Sequence, residues 1–181
     1  ASSYRMRERT FQLQTLKQSH GTLTLSLQEC KVFLGFFATL FPEIIEWQDE
    51  IEFNIRAKRD LRNLFNYPRR FERTITDSYI REGISWIPQS TVGCITHAAI
   101  NRYNRERPSN TLPAINNKHD SFLALVLDND ISTTAKHMQE CLAISLTGRD
   151  GMNFTMKSEA QAGKNWGKYS TTNPQGMRDI A

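Results

Sequence analysis

The sequence has 181 residues, of which 39% are hydrophobic and 23% charged, with a formal net charge of +4. This length can build one domain with a sizeable core, and the composition is typical of a soluble globular chain and excludes a disordered one. No apolar run reaches the roughly 18 residues of a transmembrane helix, so we expect no membrane partner.

The first predicted elements are two helices and a hairpin. Apolar residues recur at a four-residue step over Leu27–Leu40, which predicts an amphipathic helix. Pro42 disfavours helix at the preceding residue and suits the first turn of a second helix, which we expect to run to about Arg59. Leu61–Phe65 and Arg69–Arg73 flank an Asn-Tyr-Pro turn and predict a β-hairpin.

A long helix is expected next, beginning at Thr76 or Asp77 and running to about Tyr103 with a kink at Pro88. Its core face carries four isoleucines: Ile80, Ile84, Ile87 and Ile95. Residues four apart form a polar stripe opposite: Arg81, Ser85, Gln89 and Gly93. An arginine and an amide on such a stripe are either solvated or donate hydrogen bonds to the DNA minor groove, whose acceptors are present in every sequence.

The second half of the chain predicts a loop, two strands and a helix. We expect a loop over Arg107–Asn117, a buried central strand over Phe122–Leu127 and a helix over Thr133–Leu146. A strand over Asn153–Glu159 and an irregular tail from Gly163 complete the chain. This order of elements predicts an α+β fold with helices packed on one face of a mainly antiparallel sheet.

Basic residues cluster within residues 56–73, where aromatic residues lie among them. The cluster comprises Arg56, Lys58, Arg59, Arg62, Arg69, Arg70 and Arg73. A second cluster comprises Arg102, Arg105 and Arg107. Such a pattern suits a groove that binds nucleic-acid phosphates, and it equally suits a solvated basic face.

Cysteines and histidines give no strong signal. Cys30, Cys94 and Cys141 are odd in number and widely spaced, which argues against a disulfide framework and against a zinc site. They favour a reducing compartment, which is the cytoplasm or an organellar matrix. A protein encoded by a virus or phage would meet the same reducing conditions in the cytoplasm. We interpret them as small buried hydrophobic residues. Three histidines without ligand spacing are interpreted as ordinary: His97, His119 and His137.

Four stretches carry a resemblance to a known family. They are KQSHG (Lys17–Gly21) followed by FPEIIEW (Phe41–Trp47), NYPRRFER (residues 66–73), IREGISWIPQSTVG (Ile80–Gly93) and FLALVLDNDI (residues 122–131). In this order they resemble the fingers segment, the G-R-x-R-x-F hairpin, the long palm helix with its Pro-Gln-Ser-Thr, and the His-Asp-Glu motif of family A DNA polymerases, most closely the phage replicative type.

The resemblance implies a fold and a function. Residues 1–60 would form part of a helical fingers segment, and residues 61–181 a palm-like domain with an antiparallel sheet, packed long helices and a C-terminal tail. The chain would bind primer–template DNA and support DNA-directed nucleotidyl transfer with Mg²⁺ as cofactor, although not as an isolated chain. The implied nucleic-acid ligands are Arg69, Arg70 and Arg73, which contact phosphates, and Arg81 and Gln89, which contact the minor groove. The implied nucleotide-binding residues are Lys17 and His20.

The catalytic motif departs from the family pattern. Family A enzymes hold two metal ions with two aspartates, and this chain begins too late to contain the first. Aligned without a gap, Asn129 falls on the second aspartate, and an amide is a poor substitute for a carboxylate on a hard cation. A one-residue slip would let Asp128 or Asp130 serve as catalytic residues and metal ligands. The alternative is an acidic turn at a strand end.

Other motif positions are also altered. Leu16 and Gln12 fall where the family has the lysine that grips the triphosphate and an arginine. Lys17 and Arg9 compensate only if the helix is rotated. In the hairpin, Asn66 stands where the family has glycine, with Tyr67 in place of arginine.

Three hypotheses remain open from the sequence. The chain is part of a polymerase completed by a second protein chain, or a catalytically inactive polymerase-like module that binds nucleic acid or a protein, or a structural subunit of a ribonucleoprotein. A palm sheet without its first strand leaves an apolar edge, so we expect a partner chain that covers Phe122–Leu127.

Overall fold

The computed structural model describes residues 5–109 and 111–180. Within them the chain is a mixed α and β protein with five α-helices and four two-stranded antiparallel sheets. Residues 1–4, inside the predicted fingers segment, Asn110, inside the predicted loop, and Ala181, the last residue of the predicted palm-like domain and tail, lie outside the described residues. No helix in the described part is long and apolar enough to cross a membrane.

The chain forms two compact units, Ala1–Gln89 and Ser90–Ala181. The first contains, in order, α1 (Glu8–Gln18), α2 (Leu27–Leu40), α3 (Pro42–Lys58), β1 (Asp60–Arg62), β2 (Pro68–Arg70) and the first part of α4 (Asp77–Glu106). The boundary between the units falls inside α4. The expected division into residues 1–60 and 61–181 refers to the polymerase resemblance and stays a prediction.

The second unit contains the rest of α4 and a series of short elements. They are β3 (Ala114–Lys118), β4 (Ser121–Ala124), a 3₁₀ turn (Asp128–Asp130), α5 (Ile131–Leu142), β5 (Ser145–Thr147), β6 (Asn153–Thr155), β7 (Gln161–Ala162) and β8 (Arg178–Asp179). Each sheet pairs two strands that follow one another in the chain: β3 with β4, β5 with β6, and β7 with β8.

The helix boundaries follow from local chemistry. Ser26 caps α2 by accepting a hydrogen bond from the Glu29 backbone, while the Glu29 carboxylate accepts one from the Ser26 backbone. This reciprocal pair satisfies two donors that a helix start leaves unpaired, and it lowers the pKa of Glu29. Pro42 opens α3 as expected, because its missing N–H costs nothing in a first turn. The helix predicted over Leu27–Leu40 is confirmed.

The core of the first unit lies between α3, the β1–β2 hairpin and α4. Its buried residues are Ile51, Ile55, Leu61, Phe71, Ile80 and Ile84. The predicted core face of α4 is confirmed: Ile80, Ile84 and Ile95 are buried, and Ile87 packs against the core from the side. The predicted hairpin is also confirmed, with strands shorter than expected.

Gly83 allows α4 to approach its neighbours closely. A Cβ atom at this position would lie 2.4 Å from Ile55 Cδ1 and 3.2 Å from Phe71 Cζ. Both neighbours are fully buried, so neither can move without disturbing the core. The lack of a side chain at Gly83 therefore sets how tightly the hairpin and α3 pack on α4.

The second unit departs from the sequence prediction in its strands. The predicted loop contains β3, and the strand predicted over Phe122–Leu127 ends at Ala124. Leu125 and Leu127 are 55% and 67% exposed, so this run is the second strand of a hairpin rather than a buried central strand. The expectation failed because an apolar run does not reveal how many strands flank it.

Two further element boundaries differ from expectation. The helix predicted to reach Leu146 ends at Leu142, where the Ala143 N–H donates to the Gln139 carbonyl. The next residues instead form β5, whose Leu146 is buried and pairs with Phe154 of β6.

Cys30 and Cys141 are fully buried, as expected of small hydrophobic residues, whereas Cys94 is only partly covered.

Replacing Gly83 with alanine should lower the free energy of unfolding by about 1–3 kcal/mol, because the new methyl group overpacks Ile55. Gly93→Ala is the matched control: it lies in the same helix, a Cβ there meets nothing within 4 Å, and helix propensity favours alanine by about 1 kcal/mol. Urea unfolding followed by circular dichroism measures both. Equal stability of the two variants would contradict the close approach at Gly83.

Candidate nucleic-acid interface

The turn of the basic hairpin is built on Asn63. Its side chain is buried, and Oδ1 accepts hydrogen bonds from the backbone N–H groups of Phe65 at 2.9 Å and Tyr67 at 3.0 Å. The Asn63 N–H donates to the Tyr67 carbonyl at 3.1 Å. These bonds satisfy the polar groups of the turn internally, so the turn holds its shape without help from a ligand.

Asn66 supplies the left-handed residue that the turn requires. Its φ is +60°, in the region that glycine adopts freely and asparagine tolerates better than other residues. Asn66 stands where the resembling family has glycine, so the replacement retains a residue suited to this backbone. The Arg62 guanidinium donates to the Asn66 carbonyl at 3.1 Å and to its side-chain oxygen at 3.2 Å.

Arg59 and Arg69 make contacts that hold the basic hairpin to its surroundings. Arg69 forms an ion pair with Glu82 of α4, and its guanidinium lies 5.1 Å from the Phe71 ring centroid and 5.9 Å from that of Trp86. Arg59 donates to the Arg73 carbonyl at 2.9 Å. The contacts of Arg69 with Glu82 and Trp86 tie the hairpin to α4, and they make Arg69 a packing residue as well as a predicted phosphate ligand. The Arg59 contact holds the end of α3 to the segment that follows β2.

Arg70 and Arg73 are placed differently. Successive residues of a strand point to opposite faces, so Arg70 is directed away from the face on which Arg69 meets α4. Both Arg70 and Arg73 are exposed. Neither guanidinium forms an ion pair with any described carboxylate of the first unit. Two positive charges are thus presented to solvent, one at the end of β2 and one three residues beyond it.

Arg81 and Gln89 lie eight residues apart on α4, a little over two turns, and so near one face of the helix. Arg81 is half-buried and Gln89 is exposed. Arg81 has no ion-pair partner among the described residues of its unit. Between them, the Ser85 hydroxyl donates back to the Glu82 carbonyl at 3.1 Å. Both predicted minor-groove ligands therefore have side chains that solvent reaches at least in part.

The predicted nucleotide-binding pair lies at the end of α1. Lys17 and His20 are both exposed, and the His20 N–H donates to the Lys17 carbonyl at 3.2 Å. His20 has a φ of +51° and is followed by Gly21 at +83°, which ends the helix. A lysine in a last turn is also favoured by the helix dipole alone. Their role in binding a nucleotide stays a prediction.

Asp128 and Asp130 do not lie on a strand. They belong to the 3₁₀ turn before α5, which three residues separate from the end of β4. Asp128 forms an ion pair with Lys164, and Asp130 is the N-cap residue of α5, although its side chain makes no capping hydrogen bond. Acidic residues at a helix start are stabilised by the helix dipole. This placement matches the acidic-turn alternative as well as it matches a metal site.

His119, interpreted from the sequence as an ordinary histidine, stands with Asp120 at the tip of the β3–β4 hairpin. Lys118 pairs with Ser121, so His119 and Asp120 form the two-residue turn between β3 and β4. His119 has a φ of +55°, and both side chains are exposed. The signal was available, because this is the one place in the printed sequence where histidine is followed directly by aspartate.

Comparison with known proteins adds no assignment. No protein-family model matches the chain, and no curated protein matches it significantly. The polymerase resemblance therefore rests on the motifs quoted above and on their order.

Proposed function

We propose that this chain is a fingers-and-palm portion of a family A-like DNA polymerase that binds primer–template DNA. The observation that carries the proposal is that some arginines of the first unit bond within the protein, whereas others have no carboxylate partner among the described residues of that unit. Arg59 and Arg69 brace the hairpin internally, while Arg70, Arg73 and Arg81 carry charges that no described carboxylate of their unit neutralises. A hairpin with a purely structural role needs only Arg59 and Arg69.

The chemistry of these side chains fits a DNA contact that ignores sequence. Arg70 and Arg73 would contact backbone phosphates, which fixes the position of the duplex without reading bases. Arg81 and Gln89 would donate to minor-groove acceptors that every base pair presents at nearly the same place. A polymerase needs this combination, since it has to hold any correctly paired primer end.

We place the metal-binding aspartate of the chain at Asp120. The family motif quoted above begins His-Asp, and His119–Asp120 matches both letters, whereas Asp128 and Asp130 need a register slip. Ser121 then stands where the family has glutamate, and Asn129 no longer occupies the aspartate position. The placement at Asp128 and Asp130 remains the competing assignment.

Asp120 can supply one of the carboxylate ligands of a magnesium site. Mg²⁺ keeps several waters and is commonly bound by one or two carboxylates together with substrate phosphates. Asp120 offers one such carboxylate at an exposed hairpin tip. When bound, Mg²⁺ would stabilise charge on the reacting phosphate oxygens. Family A enzymes use two carboxylates, so we expect synthesis only when a second polypeptide supplies the other one.

A completing chain is part of the proposal. The β3–β4 hairpin has two strands, and Leu125 and Leu127 beyond it are exposed. A strand from a second polypeptide added to this hairpin would extend the sheet and cover these side chains.

A catalytically inactive DNA-binding module is the second candidate. It is favoured by Leu16, an exposed apolar side chain where the family has its triphosphate-gripping lysine. Gln12 stands at the position of the family's arginine. Its side chain donates to the Leu25 carbonyl at 2.6 Å, so it bonds to the loop before α2 and not to a nucleotide. Both candidates bind DNA through the same surface, and they differ in whether a completed assembly extends a primer.

The double substitution Arg70→Ala with Arg73→Ala should weaken binding to primer–template DNA and reduce the slope of log affinity against log salt by about 2, about 1 for each lost phosphate contact. Fluorescence anisotropy across a salt series measures this. Arg56→Ala is the matched control, because Arg56 is exposed in the same unit but paired with Glu52. An unchanged slope in the double variant would contradict the proposed interface.

The assignment of Asp120 predicts where a divalent cation binds. Mn²⁺, a paramagnetic substitute for Mg²⁺ at carboxylate sites, should broaden the NMR signals of residues 118–122 in the presence of primer–template and nucleotide. Asp120→Asn should abolish this broadening and Asp128→Asn should leave it. Broadening at residues 127–131 that only Asp128→Asn removes would support the competing assignment. Primer extension by the chain alone would contradict the need for a completing polypeptide.

A further inference from the structure

Three chemically different side chains converge where α4 ends beside α5. The ligand atoms of Glu106, His137 and Cys141 all lie within 4.8 Å of one another. His137 Nε2 and Cys141 Sγ are 3.8 Å apart. All three residues belong to the second unit, and none of them belongs to the polymerase-like motifs.

The local fold explains this convergence. His137 and Cys141 are four residues apart on α5, a spacing that places two side chains on the same helix face. Glu106 is the last residue of α4. Tyr103, one turn before it, packs its ring against that of His137 at a centroid distance of 5.8 Å. The Tyr103 hydroxyl donates to the Leu112 carbonyl at 3.2 Å, which holds the ring in place.

We propose that Glu106, His137 and Cys141 bind one divalent transition-metal ion of the zinc class. Zinc takes sulfur, imidazole nitrogen and carboxylate oxygen at about 2.0–2.3 Å. Tetrahedral geometry with these bonds separates the ligand atoms by about 3.3–3.8 Å. The sulfur–nitrogen distance of 3.8 Å already lies at this spacing. Glu106 is exposed, so its carboxylate can close the remaining gap by a side-chain movement.

Arg102 would act as an outer partner of the site. Its Nε donates to both Glu106 oxygens, at 3.1 and 2.9 Å, and its Nη1 donates to the Glu140 carbonyl at 3.0 Å. A carboxylate has about four acceptor sites, so two remain for a metal. Hydrogen bonds of this kind orient metal-bound carboxylates in known sites. Arg102 therefore positions Glu106 rather than blocking it.

Cys141 has the environment of a structural thiol that becomes a ligand only with a metal present. It is fully buried, and this burial raises the pKa of its thiol, an effect that Arg102 opposes in part. A coordinating cation deprotonates a thiol outright. A soft thiolate beside imidazole favours zinc, cobalt or nickel over magnesium. Three protein ligands leave a fourth position open to water.

Cobalt titration of the purified full chain tests the proposal. One equivalent of Co²⁺ should produce the near-ultraviolet absorption of a thiolate-to-cobalt charge transfer, and Zn²⁺ but not Mg²⁺ should displace it. Cys141→Ser should abolish the band. Glu106→Gln, a change on an exposed side chain, should weaken zinc affinity at least about 10-fold, the lower limit of the loss seen for outer-sphere partners. Cys94→Ser and His97→Ala are the matched controls and should change neither.

The outcomes separate cleanly because folding is checked independently. Far-ultraviolet circular dichroism shows whether each variant keeps its helices, and Glu106→Gln tests the site without touching the core. Absence of the band at one equivalent of Co²⁺ in the unmodified chain would overturn the proposal. So would a band that survives in Cys141→Ser, or zinc affinity that is unchanged in a folded Glu106→Gln variant.

Discussion

The close approach of α4 to Ile55 and Phe71 at Gly83 is the contact on which the candidate interface depends. Phe71 is buried at the end of the hairpin, directly after the two arginines of β2. Once it is anchored, strand alternation directs Arg69 toward α4 and Arg70 away from it. The orientation of the basic side chains is therefore a consequence of core packing, and no ligand is needed to establish it.

This arrangement separates stability from binding. The ion pairs of the first unit lie near the surface, where such pairs each contribute about 0–1 kcal/mol. Removing an exposed arginine without a partner should cost still less. The free energy that holds the hairpin comes instead from apolar burial around Phe71, which contributes about 1.5–3 kcal/mol for a side chain of this size. The structure can therefore retain exposed positive charge at little cost to folding.

The sequence predicted best what short-range chemistry determines. The start of α3 follows from Pro42, the core face of α4 from its isoleucine spacing, and the hairpin from its Asn-Tyr-Pro turn. It failed over Phe122–Leu127, because whether an apolar run becomes a central strand depends on neighbours far away in the chain. In the same way, the His-Asp pair is visible in the sequence, but its position at the tip of a hairpin became visible only when β3 was found within a predicted loop.

The Glu106–His137–Cys141 cluster shows that the sequence alone also has a limit in predicting metal sites. His137 and Cys141 have a spacing that the sequence displays, but two residues do not define a metal site. The third ligand comes from another helix, some thirty residues earlier in the chain. Cysteine spacing alone argued against a zinc site, since that rule considers sets of cysteines and not a mixed set assembled by folding.

Hydrogen–deuterium exchange, with and without bound primer–template DNA, tests the central claim most directly. If the bracing by Arg59, Arg69 and Phe71 presents the remaining arginines to DNA, bound duplex should slow exchange in residues 60–73 and in the α4 segment 81–89. The exchange rates in helix α2, which contributes no residue to this surface, should not change. Exchange that stays unaltered in both segments while DNA is bound, or protection confined to other elements, would contradict the account.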